Sequence, residues 1–263
     1  MSSVDFLNQG IYVLALAALC AGFVDAIVGG GGLIQIPALF SGFPTEAPAT
    51  LFGTNKLSAL GGTLVSAGRY LKQIRLPLKL MLFASIVAFL ASIFGAWALT
   101  FISPVFIRVS LPAILLGLLI FTLVKKNSAF AHDPRQDSFH TRLILFLGVA
   151  IIGFYDGFLG PGTGSFLMFF FVSFLRYDFL HAAAATKVIN CVTNIAALCL
   201  FIPAGHIQWG LAVVMVVFNI LGGLLGSSMA MRLGSDFVKK FFIGVVLLLI
   251  IKTAIDSYRL IGF

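Results

Sequence analysis

The sequence predicts an all-α polytopic membrane protein built from two inverted repeats. Each repeat holds a glycine-broken re-entrant or discontinuous helix pair, for about 8–10 membrane segments in all. Three observations carry this. Apolar residues make up 60% of the 263 residues and charged ones only 10%, against about 25% charged in a soluble domain. With a mean hydropathy of +1.10, the chain cannot cover a water-facing exterior. Apolar stretches recur from end to end, and a set of glycines and charged residues returns at one constant offset.

In the first half the apolar segments run near 11–28, 33–41, 48–68, 78–101 and 107–123. A polar linker, 125–141, follows. In the second half they run near 142–159, 164–175, 181–203, 209–231 and 240–257. This divides the chain into a first membrane repeat (1–124), the linker, and a second repeat (142–263), joined in one membrane domain. A full span needs about 20 residues to cross about 30 Å, so 33–41 and 164–175 are too short. Each follows a break: Gly29-Gly30-Gly31-Gly32 or Gly160-Pro161-Gly162-Thr163-Gly164. Glycine and proline interrupt helices, hence the re-entrant reading. The run 11–28 has no basic flank and no cleavage pattern, and it contains Asp25. It reads as part of the mature protein, not a signal peptide.

Residues 22–32, GFVDAIVGGGG, align without a gap over 153–163, GFYDGFLGPGT, with five of eleven positions identical at an offset of 131. The same offset pairs Lys56 with Lys187, Gly95 with Gly226, and Arg108 with Lys239. Loop charges set the orientation. Arg69, Lys72, Arg75 and Lys79 follow the third segment, while the matching stretch 200–210 has no Lys or Arg. The next loop reverses this: 99–106 has none, and 232–240 holds Arg232, Lys239 and Lys240. Corresponding loops therefore lie on opposite sides, with the linker cytoplasmic and both termini outside. Inverted halves of this kind hold transporter sites near the midplane.

Four ionisable residues sit inside apolar surroundings: Asp25, Lys56, Asp156 and Lys187. Unpaired, each costs roughly 2.5–3.5 kcal/mol at a helix centre, so they must pair or face a watery cavity. Each Asp precedes its Lys by 31 residues. Pairing within a half and pairing across halves fit this spacing equally. Lys187, Asn190, Cys191 and Asn194 share one helical face; Lys56 and Thr63 do the same in the first half, with Thr54, Asn55 and Ser58 nearby. A helix that starts after a break points unpaired N–H groups and a positive dipole end inward. Two such ends, one from Gly30, Gly31 and Gly32, the other from Gly162, Thr163, Gly164 and Ser165, would form an anion site beside two lysines. Tyr155, Thr163 and Ser165 add hydroxyl donors.

Other features point away from competing classes. The excess of 17 Lys and Arg over 9 Asp and Glu is the excess expected of cytoplasmic loops, so no nucleic-acid partner is expected. Cys20, Cys191 and Cys199 match no metal or redox motif. The histidines lack metal-ligand spacing, and His181 reads as a helix-opening, capping residue. There is no nucleophile set or nucleotide motif, so neither an enzyme nor a cofactor is expected.

The stretches GFVDAIVGGGGLIQIPAL, ATLFGTNKLSALGGTLVSAGRY and GFYDGFLGPGTGSF closely resemble the TauE/SafE sulfite-exporter family, nearest its YfcA-like branch. The likeness covers nearly the whole chain. It implies a multi-pass bacterial inner-membrane transporter of sulfur-containing anions such as sulfite, sulfoacetate or other organosulfonates. Ala185-Thr186-Lys187 departs from Thr54-Asn55-Lys56 and lacks its asparagine, which places the two lysines in unequal settings. The combined expectation is a secondary transporter working by alternating access, with an anion channel through the same cavity as the alternative. Lys56, Lys187 and the two breaks would bind the anion, and Asn55, Asn190 and Asn194 would orient it. Asp25 and Asp156 would carry a coupled proton or only hold the lysines. Protons or sodium are the candidate coupling ions.

Overall fold

The computed structural model describes residues 3–102, 105–106, 133–135 and 138–260. The predicted segment 107–123 and most of the linker lie outside the described residues. The helices are α1 (Ser3–Val28), α2 (Gly32–Gly42), α3 (Pro48–Gln73), α4 (Leu78–Leu99), α5 (Phe139–Phe158), α6 (Thr163–Leu175), α7 (Phe179–Phe201) and α8 (Trp209–Leu260). No strand occurs among the described residues. Among the described residues, five stretches are long and apolar enough to cross a membrane: Ile11–Val28, Leu78–Leu99, Phe139–Phe158, Phe179–Phe201 and Trp209–Val238. The short segments expected after the glycine breaks are α2 and α6, with 11 and 13 residues.

Local chemistry sets the ends. Pro48 starts α3, where its missing N–H would be unpaired anyway. Extended backbone at Ile74 and Pro77 separates α3 from α4. Ser138 caps α5 by accepting from Thr141 N at 3.2 Å. Three predicted boundaries are corrected. The helix begins at Phe139, so the last linker residues are helical. α3 runs to Gln73 instead of ending at 68, because Arg69 stays helical and donates to the Leu224 carbonyl at 3.1 Å and to the Ser228 hydroxyl. The stretch 232–240 is also helical, broken only at Gly234 (φ 75, ψ −171). Polar residues mark where the helix leaves the apolar layer, but only the glycine interrupts its backbone.

α3 is the exception to the apolar rule. It has 26 residues yet is too polar to qualify as a span. Thr54, Asn55, Lys56, Ser58, Thr63 and Ser66 are all buried. The helix packs on α1, α2, α7 and α8. Its buried face can be polar because neighbouring helices, and not lipid, surround it.

The dominant packings cross between the halves: α1 lies along α8, and α5 along α4. Two glycine contacts of each packing repeat at the same offset, while Gly222 on Leu19 and Gly157 on Ser92 have alanine at the matching positions. Gly22 abuts the Asn219 carbonyl, and Gly153 abuts that of Ala88. Gly226 abuts the Phe23 carbonyl, and Gly95 that of Phe154. Small residues let membrane helices approach backbone to backbone. At the centre α3 lies against α7.

Asp178 caps α7, accepting from Leu180 N at 2.8 Å and His181 N at 2.9 Å. It also holds the His181 ring at 2.6 Å and receives the Ser235 hydroxyl at 3.0 Å, which ties α7 to the kink of α8. Burial raises the Asp178 pKa, but the His181 N–H, the His181 charge and the Ser235 hydroxyl outweigh burial and hold it below the usual carboxylate range. Asp178→Ala is therefore expected to cost about 1 kcal/mol. Because the folded pKa is depressed, this contribution is present above the unfolded value of about 3.9 and is lost as pH falls through the folded value. Thermal unfolding of both proteins at pH 7 and in acid checks this: the gap between them should close in acid.

Candidate functional site

The site forms where the two breaks meet. Gly29 (φ 78) ends α1, its N–H donating to the Asp25 carbonyl at 2.8 Å. Gly160 (φ 88) ends α5, its N–H donating to the Tyr155 carbonyl at 3.2 Å. Left-handed backbone of this kind suits glycine. The breaks then differ. Gly31 is right-handed and leads directly into α2, whereas Pro161 and left-handed Gly162 (φ 76) precede α6. Backbone touches backbone across the halves: a Cβ on Gly29 would land on Gly164, and one on Gly164 would land on Gly29. A Cβ on Gly32 would sit 3.3 Å from the Pro161 Cα. The N–H groups of Gly30, Gly31, Gly32, Gly164 and Ser165 donate to no backbone carbonyl among the described residues, as expected of helix N-termini.

The charged residues settle into cross-half pairs. Lys56 Nζ lies 2.6 Å from Asp156 Oδ2, and Lys187 Nζ lies 2.7 Å from Asp25 Oδ2. Of the two pairings that fit the spacing, the fold takes the one between halves. All four side chains are buried, with Lys187 fully enclosed. A Cβ on Gly160 would come 3.2 Å from Lys56 Nζ, so the ammonium lies against the second break. The pairs are unequal. Asp25 also receives the Thr63 hydroxyl at 3.4 Å, while no donor besides Lys56 reaches Asp156 among the described residues. Residue 63 corresponds to Asn194, whose amide instead donates to Asn190 Oδ1 at 3.4 Å.

The remaining predicted residues fall around these pairs. Asn190 and Asn194 are buried on the Lys187 face of α7. Asn55 and Thr186, each preceding a lysine at matching positions, are buried with Oδ1 and Oγ1 unpartnered. The hydroxyls of Tyr155, Thr163 and Ser165 donate to the carbonyls of Pro161 (2.7 Å), Gly160 (2.9 Å) and Val28 (3.3 Å). In this arrangement they brace the breaks.

Sequence reasoning missed one buried network. Gln35 Nε2 donates to Ser58 Oγ at 2.6 Å, and Asn219 Nδ2 donates to Gln35 Oε1 and the Ala18 carbonyl, both at 3.2 Å. The matching positions in the other half are Phe166, Ile189 and Ala88. The signal was present as lone amides inside apolar runs, which membrane helices carry only when satisfied internally. One half is thus polar around its short helix and the other apolar, with Tyr155 edge-on to Phe166 at 5.5 Å.

Residues 14–253 match the family described as Sulfite exporter TauE/SafE. A “Probable membrane transporter protein” of Haemophilus influenzae is 35% identical over 255 residues, 95% of this chain and 98% of that protein. “Probable membrane transporter protein ORF9” of a Sinorhizobium species is 35% identical, covering 92% of each chain. “Probable membrane transporter protein YfcA” of Escherichia coli K12 is 31% identical, covering 94% of this chain and 90% of that one. No solved structure matches.

Proposed function

We propose, given that this chain belongs to the TauE/SafE sulfite exporter family and is a membrane transporter, that it moves a small sulfur-containing anion across the bacterial inner membrane. Sulfite, sulfoacetate and other organosulfonates are the candidate class. The mechanism is alternating access of two inverted repeats around the paired breaks. One observation carries this reading: two buried lysines matched by the repeat pair with aspartates four residues before the breaks, Lys56 lying against Gly160, and the N–H groups of Gly30, Gly31, Gly32, Gly164 and Ser165 have no carbonyl acceptor among the described residues. Recurrence of the glycine contacts at one offset supports the repeat. Because the ion pairs and the largest packings join opposite halves, relative motion of the halves strains both pairs.

Each lysine is already neutralised by its partner. An added anion would leave uncompensated charge in a low-dielectric interior, at a desolvation cost of several kcal/mol. A proton on one carboxylate removes that cost and releases an ammonium to the anion. Asp156 suits this role better than Asp25, because among the described residues only Lys56 reaches it while Asp25 keeps Thr63 as well. The proton is therefore the coupling ion in this reading, with the linker cytoplasmic and the termini outside.

Proteoliposome uptake tests both parts. Sulfite, thiosulfate, sulfate, sulfoacetate and taurine are screened first by thermal shift, and binding ligands are then assayed for transport. Lys56→Met and Lys187→Met should each lower uptake roughly 10- to 100-fold, the value of a lost charge-assisted hydrogen bond of about 1.5–3 kcal/mol. Unchanged uptake in both would remove the lysines from the site. Asp156→Asn should still exchange anion but lose accumulation driven by a pH gradient. If it accumulates like the wild type, Asp156 is not the proton carrier.

A further inference from the structure

Away from the ion pairs, three segments converge on one cavity of about 620 Å³ at the end of the helices where α3 gives way to α4 and α6 to α7. Arg75 and Lys79 line it from the α3–α4 connection, Arg135 from the chain just before α5, and His181 from the first turn of α7. The rest of its wall is largely apolar, with Leu76, Leu80 and Leu175 in it. Arg135 is held in place by backbone: its N–H donates to the Leu175 carbonyl at 3.2 Å, and Asp133 N–H donates to that of Arg176 at 3.3 Å.

Among the described residues the charge lining this cavity is basic. The nearby acids are already engaged, Asp178 with His181 at 2.6 Å and Asp133 with Arg176 at 3.4 Å. Arg75, Lys79 and Arg135 are exposed and have no acidic partner among the described residues. Immediately beside them Leu78 and Leu82 are exposed on α4, a membrane-spanning helix. Three cations without an acidic partner among the described residues, at the end of membrane helices, over an apolar wall and next to exposed leucines, are complementary to one kind of molecule. It carries a negative headgroup on an acyl chain.

We propose that this cavity binds the headgroup phosphate of an anionic phospholipid, with the acyl chain descending along α4. The occupant is a lipid and not a free oxyanion because half of the recognition is apolar. The loops bearing these cations are those the positive-inside rule assigns to the cytoplasm, so the lipid comes from the inner leaflet. The cavity is distinct from the paired breaks and shares no residue with them.

Thermal unfolding of the purified full-length chain in neutral detergent tests this, with dioleoyl-phosphatidylglycerol, dioleoyl-phosphatidylcholine or inorganic phosphate added. Phosphatidylglycerol should raise the unfolding temperature saturably, and phosphatidylcholine should not. In R75Q/K79Q/R135Q the lipid concentration giving half the shift should rise by more than tenfold, each lost charge weakening binding roughly fivefold. R75K/R135K, which keeps the charge, should retain most of the shift. All three side chains are exposed, so the lipid-free unfolding temperature should stay the same in every variant. An equal response to phosphatidylcholine overturns the proposal, as does an undiminished phosphatidylglycerol shift in the triple variant. Phosphate alone reproducing the full shift overturns the lipid assignment in favour of a free-anion site. None of these readouts depends on transport.

Discussion

Lys56→Met is expected to destabilise the protein by about 3–5 kcal/mol, and adding Asp156→Leu to the same chain is expected to restore most of that loss. The single variant leaves the Asp156 carboxylate buried without its ammonium partner. The interior offers nothing in compensation, because no other donor reaches that carboxylate among the described residues. The double variant removes both charges and fills the space with apolar atoms, which commonly matches or exceeds a buried ion pair in stability. Loss of the monodisperse peak on heating, compared for the wild type, Lys56→Met, Asp156→Leu and the double variant, closes the cycle that gives their coupling. Uptake should separate from stability: the double variant folds but does not transport. A double variant that transports normally would reduce the pair to a clamp between helices. The equivalent cycle at Lys187 and Asp25 should show a smaller single-variant cost, because Thr63 still donates to Asp25.

Gly164→Ala should be among the most damaging single-methyl additions in the chain. Its Cβ would land on the backbone of Gly29, and neither partner is a flexible side chain that can swing away. Overpacking of a well-packed interior costs about 1–3 kcal/mol, and contact between two backbones belongs at the top of that range. Gly29→Ala adds a second cost, because its φ of 78 is left-handed and disfavours a side chain by roughly 1–2 kcal/mol. Gly68→Ala is the control. It lies inside α3, is exposed, and its Cβ would meet nothing within 4 Å. There alanine should stabilise by about 0.5–1 kcal/mol through helix propensity. Folded yield and unfolding temperature should rise from Gly29→Ala through Gly164→Ala to Gly68→Ala. If Gly164→Ala behaves like Gly68→Ala, the breaks do not pack as described.

The sequence by itself determined that the chain enters a membrane, where its long apolar helices lie, and that two short helices follow glycine breaks. These are local properties. Apolar run length, glycine, proline and capping residues act on their own neighbourhood, so they can be read without knowing what lies across from them. The recurrence at an offset of 131 was equally visible, because a repeat is a property of the string. Three things waited for the tertiary structure. The partner of each lysine was one, since the 31-residue spacing fits a pair within a half as well as the observed pairs between halves. The inequality of Asp25 and Asp156 was another, because it depends on Thr63 reaching a carboxylate on another helix. The last was the polarity of α3 and the amide network of Gln35 and Asn219, which are tolerable only because neighbouring helices enclose them. A side chain's cost in a membrane is set by what surrounds it, and packing brings those surroundings from distant parts of the chain.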